Sequence, residues 1–268
     1  MINLEHVVLA SPEQMEFVIE GMRNPMNSWE KSDSSHGHYF RREIGEPCNR
    51  YKIDDPTEED LKGERVEYVE GYFELGNDDH SLMQKLSDAG TEHRKYMRMI
   101  PVYVRITAPL YWWKEFDTYK VGTVANSCST MHKITAKEFD VNDFSHEHIE
   151  ELDGDEYSMS YDWLLRTVDI LNYYRKKYNT ASEKLKRDIT NAERKHVLAQ
   201  QKLFWWQMIQ LLPSSYNQKR TVMLNYEVLA NIYKSRRNHK LDEWHTLCDW
   251  IETLPYSELI TGKEESSK

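Results

Sequence analysis

The 268-residue sequence has few of the features that mark secreted or membrane proteins. Its three cysteines (Cys48, Cys128 and Cys248) are odd in number and far apart, which argues against a disulfide framework and favours a reducing cytoplasm. It contains no apolar run of the length that crosses a bilayer, so we expect no membrane span. Its first residues show no basic region followed by a long apolar core, so we expect no secretory signal.

Positive charge is also in deficit, because the formal net charge is −10. Proteins that hold a nucleic-acid backbone usually present a basic surface, since phosphate neutralisation dominates their affinity. Acidic residues cluster at 54–72 and 149–156, and basic residues at 174–195 and 234–240. We therefore expect no nucleic-acid polymer as a partner, whereas a small phosphorylated ligand, which needs only a few cations, remains compatible.

Sequence motifs for the common cofactors are absent as well. No Gly-x-Gly-x-x-Gly follows a predicted strand, and there is no P-loop, so a Rossmann dinucleotide site is not indicated. The pairs His36-x-His38 and His146-x-His148 invite a metal hypothesis, but no Cys-x-x-Cys or His-Glu-x-x-His accompanies them. We therefore expect no metal site.

A cysteine–histidine nucleophile is a further hypothesis. Cys128 could act with His93 or His132, although the sequence gives no geometry for either pair. A small cysteine that lines the core is the more usual interpretation.

The stretch 101–134 organises the chain. Val102, Val104 and Ile106 alternate as in a half-buried strand, and Pro109 then suits the start of a helix. The segment 121–130 follows as a polar loop of small residues. Such a strand, helix and loop can present backbone N–H groups to an anion.

Capping signals and helical periodicity predict the other elements. Ser11, Pro12 and Gln14 predict a capped helix start. The stripes in 157–211 predict two helices with a break near 179–182, and two more helices are predicted over 221–235 and 241–254.

Two segments together resemble the flavin-dependent thymidylate synthases, the ThyX family. That family has a strand ending in Ala-Pro, a helix, Arg-His-Arg, seven or eight residues, and a Ser. Here Ala108-Pro109 precedes Thr118-Tyr119-Lys120, and Cys128 and Ser129 lie at the two Ser spacings. The family's Leu-Pro, Asn, Asn and Arg signature is matched without a gap by Leu212-Pro213, Asn225, Asn231 and Arg236.

The resemblance implies an α+β fold, with an antiparallel or mixed sheet, long helices and a helix-rich C-terminal half. It implies one domain over 1–262 with enlarged segments at 35–76 and 135–200, and we expect 263–268 to be a disordered tail. It further implies a homotetramer that binds FAD, which agrees with the cytoplasm that the cysteines favour. The reaction would be reductive methylation of dUMP to dTMP, with methylenetetrahydrofolate as carbon donor and NADPH as reductant.

Site residues follow from the resemblance, position by position. The implied catalytic residues are Cys128, Ser129 and Arg236. The implied cofactor contacts are Ser28, His93, Tyr119, Lys120, Asn225 and Asn231. The implied substrate contacts are Glu115, Asn126, Ser127, Cys128, Ser129, Thr130 and Arg236. For Asn225, Asn231 and Arg236, a purely structural role in capping or lining a helix surface is also possible.

Several family positions are changed, and they leave the reaction open. Arginine is absent from four of its family positions, which hold Thr118, Lys120, Thr130 and Ile209, and Tyr119 replaces the motif His. Arg94, Arg98 and Lys133 are candidates for the lost phosphate contacts. Glu115, in place of a neutral amide, could accept a hydrogen bond from a cytosine-type amine, so dCMP is an alternative substrate. The chain could also be a ThyX-fold binding or assembly module without catalysis, or an unrelated helical protein with chance matches.

Overall fold

The computed structural model describes residues 2–42, 50–53, 66–149 and 159–262. The strands are β1 (Asn3–Leu9), β2 (Ser35–Arg42), β3 (Arg50–Ile53), β4 (Val66–Glu74), β5 (Pro101–Pro109), β6 (Val124–Ser127) and β7 (Asn217–Asn225). The helices are α1 (Pro12–Arg23), α2 (Asn77–Asp88), α3 (Leu110–Phe116), α4 (Thr130–Lys133), α5 (Met159–Leu185), α6 (Asn191–Leu211), α7 (Tyr226–Arg236), α8 (Asp242–Glu252) and α9 (Glu258–Thr261). The predicted tail, 263–268, lies outside the described residues.

The strands form two sheets. One has the order β1-β5-β7-β6, and the other has the order β3-β2-β4. In the second sheet β2 pairs antiparallel with both neighbours, so that His38 lies opposite Ile53 on one side and Gly71 on the other. The predicted α+β class, with long helices in the C-terminal half, is confirmed.

Residue contacts divide the chain into two compact units. The first comprises Met1–Glu5, Arg105–Thr118 and Ala125–Val222. Its core lies among α5, α6 and the segment that precedes them, where burial of aliphatic and aromatic side chains supplies the main stabilisation. The core residues are Ile134, Phe139, Phe144, Leu164, Val168, Leu171 and Met208.

The second unit comprises His6–Val104, Tyr119–Val124 and Met223–Lys268. In it α7 packs against α8, α9 and the 3₁₀ turn Lys95–Met99, and α1 packs against that turn and β4. The fully buried side chains of this unit include Val18, Met83, Met97, Leu229, Ile232, Trp244 and Ile251.

Most predicted elements are confirmed near their expected bounds. Ser11 caps α1 and Gln14 closes the capping box. Val102, Val104 and Ile106 are buried in β5, and Pro109 is the N-cap of α3. The segment 157–211 does form two helices, but the break is at 186–190 rather than near 179–182, because Thr190 caps α6.

The predicted helix over 221–235 is wrong in its first turn. Residues 221–225 belong to β7, and the helix begins at Tyr226. Val222 and Leu224 are buried on one face of the strand, which is a period of two. The predicted loop 121–130 contains the short strand β6.

No described helix is long and apolar enough to span a membrane.

Candidate active site

Asn225 stands at the junction of β7 and α7. Its Oδ1 accepts a hydrogen bond from the Val228 backbone N–H (3.1 Å), so its side chain caps α7 while 8% exposed. Gly122 lies against it, with φ +78°, and a Cβ built there would come within 2.9 Å of Asn225 Nδ2. Asn225 therefore caps α7. Residue 122 must be glycine because its φ is positive and because a side chain there would crowd the Asn225 amide.

Arg236, in the last turn of α7, is held by aromatic rings. Its Nε donates to the Tyr119 hydroxyl (2.9 Å). Its guanidinium carbon lies 4.7 Å from the centroid of the Trp244 ring and 5.7 Å from that of Tyr119. Trp244 is fully buried, so its ring is a rigid support for the guanidinium. Tyr119, which occupies the motif His position, thus fixes the plane of the guanidinium by hydrogen bonding and by cation–π contact.

A second polar group surrounds Glu227, one residue into α7. The Glu227 carboxylate is 6% exposed and accepts a short hydrogen bond from Arg98 Nε, and Arg94 Nε lies 3.5 Å from Glu227 Oε1. Arg94 Nη2 donates to Asn231 Oδ1 (3.0 Å). Glu227 raises the pKa of the Arg98 guanidinium by hydrogen bonding and by charge. The arginines proposed for the lost phosphate contacts therefore already have a carboxylate partner.

Thr123 Oγ1 is a buried polar atom of this unit that has no hydrogen-bond partner within the described part of the chain. Buried Arg94 Nε makes no hydrogen bond there either, beyond its ion pair with Glu227. A buried polar atom without a partner costs free energy, and in native structures such an atom usually has a water, ion or ligand as its partner. Arg94 offers a charged donor beside Asn231, and Thr123 follows Gly122 next to the Asn225 cap.

The segment 126–130, called the motif loop below, lies in the first unit. Asn126 and Ser127 end β6 with exposed side chains, and Cys128 is an exposed free thiol. The Cys128 backbone N–H donates to Lys219 O (2.9 Å). Ser129 caps the short α4, with its hydroxyl accepting from the His132 backbone N–H (3.1 Å). The loop is therefore ordered by backbone pairing and a cap, and its side chains face water.

β7 supplies residues that the sequence did not reveal. Gln218 Nε2 donates to Cys128 O (3.2 Å) and to Thr130 Oγ1 (3.0 Å). Arg220 Nε donates to Gln218 Oε1 (3.0 Å), and its guanidinium stacks on the buried Trp113 ring at 4.1 Å. The alternation of β7 places Gln218 and Arg220 on one face, but their loop partners lie about ninety residues earlier, so local sequence gives no signal.

Three further motif positions lie around α3. The backbone carbonyl of Glu115 accepts hydrogen bonds from the Thr118 N–H (3.1 Å) and hydroxyl (2.8 Å), which closes the C-terminal end of the helix. Glu115 is half-buried, whereas Thr118 and Lys120 are exposed. Thr118 thus acts locally as a helix stop, and Lys120 is available to an anion as a point charge.

The first cofactor candidate, Ser28, belongs to a network around a buried carboxylate. Asp79 is 0% exposed and accepts from Arg23 Nε (2.5 Å) and from the hydroxyls of Ser32 and Ser34 (2.6 Å each). Arg23 Nη1 in turn donates to the Ser28 backbone carbonyl (3.2 Å) and contacts its hydroxyl (3.4 Å). The buried ion pair of Arg23 and Asp79 therefore positions the Ser28 backbone.

His93, the other flavin-side candidate, is exposed in the turn before Arg94. Among the described residues neither Ser28 nor His93 makes a side-chain hydrogen bond to another candidate. Arg236 with Tyr119, and Asn231 with Arg94, are brought together in the second unit. Cys128 and Thr130 are brought together by Gln218 in the first unit.

No protein-family model and no curated protein matches the sequence. Solved structures do match, and two are crystal structures of the flavin-dependent thymidylate synthase ThyX from Helicobacter pylori, each with FAD and dUMP. Each has a TM-score of 0.51 and 13% sequence identity, and covers 97% of this chain and 95% or 96% of its own. At this identity the similarity establishes the fold: the chain has the ThyX fold over nearly its whole length.

Proposed function

We propose that this protein is a flavin-dependent enzyme of the ThyX type that methylates a pyrimidine deoxynucleotide. The default reaction is dUMP to dTMP, with methylenetetrahydrofolate as carbon donor and NADPH as reductant. The observation that supports this most strongly is the end-to-end alignment with ThyX structures that hold FAD and dUMP. The protein would work in the cytoplasm as one domain over residues 1–262, and its two described cysteines, both free thiols, are compatible with that compartment.

The residues present fit a flavin cofactor. Thr123 Oγ1 is a buried polar atom with no partner among the described residues, and buried Arg94 Nε has an ion pair with Glu227 at 3.5 Å but no hydrogen bond, so both suit an anionic, oxygen-rich group such as a diphosphate. Lys120 adds an exposed positive charge in the same unit, and Asn231 presents an amide on α7. We assign FAD contacts to these residues together with Ser28, His93, Tyr119 and the amide of Asn225. When bound, the flavin supplies the hydride chemistry.

The substrate-side residues divide into a rigid guanidinium and a polar loop. Arg236 would donate to a pyrimidine carbonyl, and the Tyr119 and Trp244 rings hold it in one plane, so little entropy is lost when it binds. The loop from Asn126 to Thr130, including Cys128 and Ser129, would offer backbone N–H groups and hydroxyls to the nucleotide. Glu115 would face its polar edge.

A changed substrate and a non-catalytic module are the competing functions. The uncharged Thr118 and the pairing of Arg94 and Arg98 with Glu227 reduce the positive charge that the motif arginines would supply. Glu115, as an acceptor, suits the amine of dCMP better than the carbonyl of dUMP. Binding of dUMP and dCMP to the purified protein, combined with product analysis, separates these possibilities, because a non-catalytic protein can bind a nucleotide but gives no product.

We also propose a homotetramer. α5 and α6 carry large apolar side chains that are exposed in the single chain, including Met159 (86%), Trp163 (71%) and Leu203 (60%). Such exposure is typical of surfaces covered by another protein molecule. Light scattering on the purified protein measures the oligomeric state directly.

The proposed function is tested by complementation and by a pair of matched variants. The gene should restore growth of a thymidine-requiring host. Arg236→Lys keeps the charge but loses the planar fork. We therefore expect at least a tenfold lower kcat, which is a loss of about 1.4 kcal/mol in transition-state stabilisation, with FAD binding retained. Arg237→Lys is the control, since Arg237 is the next residue, is 44% exposed and stacks on Tyr233 instead. Equal activity of both variants would remove Arg236 from the site.

A further inference from the structure

Arg220 is an unusually constrained arginine next to the motif loop. Its side chain is only 13% exposed, although it lies in a strand whose preceding residue, Lys219, is exposed. Its Nη1 donates to Asp117 Oδ1 (2.7 Å), its Nε donates to Gln218 Oε1 (3.0 Å), and its plane stacks on Trp113 at 4.1 Å. The side chain therefore has one orientation before any ligand arrives.

The same strand residue that orients Arg220 also holds the loop. Gln218 uses its oxygen to accept from Arg220 and its nitrogen to donate to Cys128 O and Thr130 Oγ1. The Trp113 indole N–H donates to Gln218 O (2.9 Å), which fixes the backbone from the other side. Loop and guanidinium are thus parts of one hydrogen-bonded assembly within the first unit.

Part of this guanidinium remains available. In the described part of the chain Nε and Nη1 of Arg220 have partners, whereas Nη2 has none. An arginine with Nε and Nη1 committed and a stacked plane presents the N–H groups of Nη2 in a fixed direction, which suits a phosphate oxygen. Asp117 is 50% exposed, so water screens its charge and it neutralises Arg220 incompletely.

The geometry points to Arg220 as the residue that binds the 5′-phosphate of the nucleotide at the 126–130 loop. It would take over from the arginines absent at Thr118, Thr130 and Ile209. The inference rests on the proposed function for the nucleotide, but not on the flavin. Gln218 is the positioning residue, since it acts through Arg220 and the loop.

The test compares dUMP with deoxyuridine, which lacks the phosphate, by titration calorimetry. Arg220→Gln should weaken dUMP binding about 10- to 100-fold, the range for losing one charge-assisted hydrogen bond. Deoxyuridine and FAD affinities should not change. The matched control is Arg175→Gln, because Arg175 is also nearly buried (14% exposed) and pairs with an exposed carboxylate, Glu138, at 3.5 Å.

Asp117→Asn separates phosphate binding from a purely structural ion pair. Without the competing carboxylate, Arg220 should bind dUMP more tightly, by about two- to fivefold. A structural pair would instead lower the melting temperature and weaken both ligands. The melting temperature of every variant is measured to identify unfolding.

Three results would overturn the assignment. They are unchanged dUMP binding by Arg220→Gln, an equal loss for dUMP and deoxyuridine, or a wild-type protein that binds dUMP no better than deoxyuridine. Failure of the proposed flavin chemistry gives a different signal, namely a wild-type protein that does not bind FAD. In that case the difference between dUMP and deoxyuridine still decides the role of Arg220.

Discussion

Asp79→Asn should destabilise the protein strongly, because Asp79 is the buried acceptor for the segment that carries Ser28. The side chain of Asp79 is 0% exposed, and that of its partner Arg23 is 5% exposed. The distance from Arg23 Nε to Asp79 Oδ1 is 2.5 Å. The substitution leaves the Arg23 guanidinium buried without a counter-charge. Removing one partner of a buried ion pair costs about 3–5 kcal/mol. An asparagine can still accept from Ser32 or Ser34, so we expect a value near the lower end, about 3 kcal/mol.

Thermal unfolding followed by circular dichroism measures this loss. For a chain of this size a loss of about 3 kcal/mol corresponds to a fall in Tm of about 6–12 °C. FAD affinity should fall as well, since Arg23, which donates to the Ser28 carbonyl, would lose the carboxylate that positions it. A loss below about 1 kcal/mol would refute the reasoning, because it would mean that water reaches the ion pair.

Asp33→Asn is the control within the same network. The exposed Asp33 carboxylate accepts from the backbone N–H groups of Asp78 (2.9 Å) and Asp79 (3.0 Å) at the start of α2. Since it is exposed, we expect a smaller loss than for Asp79→Asn. The hydrogen bond from the Asp78 backbone N–H is the largest cause that lowers the pKa of Asp33, and it outweighs the opposing effect of desolvation. Its contribution is therefore complete above the ordinary aspartate pKa and is lost as pH falls through the lower folded pKa.

Three further predictions concern the residues around the proposed site. Gly122→Ala should lower stability by about 1–2 kcal/mol in chemical unfolding, because the position has φ +78° and a Cβ there meets the amide that caps α7. Tyr119→Phe should lower kcat about tenfold with Tm nearly unchanged, because it removes the acceptor for Arg236 Nε but keeps the ring. In a Cys48→Ser background, an alkylating reagent should modify the exposed Cys128 before Cys248, whose burial raises its pKa to about 11.

Each of these predictions has a control and a contradicting outcome. Gly90→Ala tests φ +99° where nothing crowds a Cβ, so a loss equal to that of Gly122→Ala would mean that crowding is irrelevant. Tyr103→Phe is a control for removal of an exposed phenol, and an equal fall in kcat there would discount Tyr119. Faster labelling of Cys248 than of Cys128 in the folded protein would contradict the burial argument, whereas equal labelling is expected only after denaturation.

Elements with local signals were predictable from sequence. The Ser11 cap, its Gln14 partner and the alternation in β5 each involve residues within a few positions, so they appear directly in the sequence. The segment 221–225 was predicted as helix, although it is a strand, because Leu224, Leu229 and Ile232 also fit helical spacing. The decisive signal was Asn225, a good N-cap residue, which marks the start of α7 several residues later than predicted.

The site was predictable only in part, for a physical reason. Motif positions such as Asn225, Asn231 and Arg236 could be named by spacing, but their partners could not. Arg94 reaches Asn231, and Tyr119 reaches Arg236, from more than one hundred residues away in the chain. Such contacts depend on how elements pack rather than on sequence neighbours, and this is also why Gln218 and Arg220 were missed.

The central claim is that the protein methylates a pyrimidine deoxynucleotide with a bound flavin. The most direct measurement incubates the purified protein with FAD, NADPH, methylenetetrahydrofolate and dUMP, and identifies the nucleotide product by mass spectrometry, with dCMP in a parallel reaction. We predict a yellow protein and conversion of dUMP to dTMP. A protein that stays colourless with added FAD and returns both nucleotides unchanged would contradict the claim.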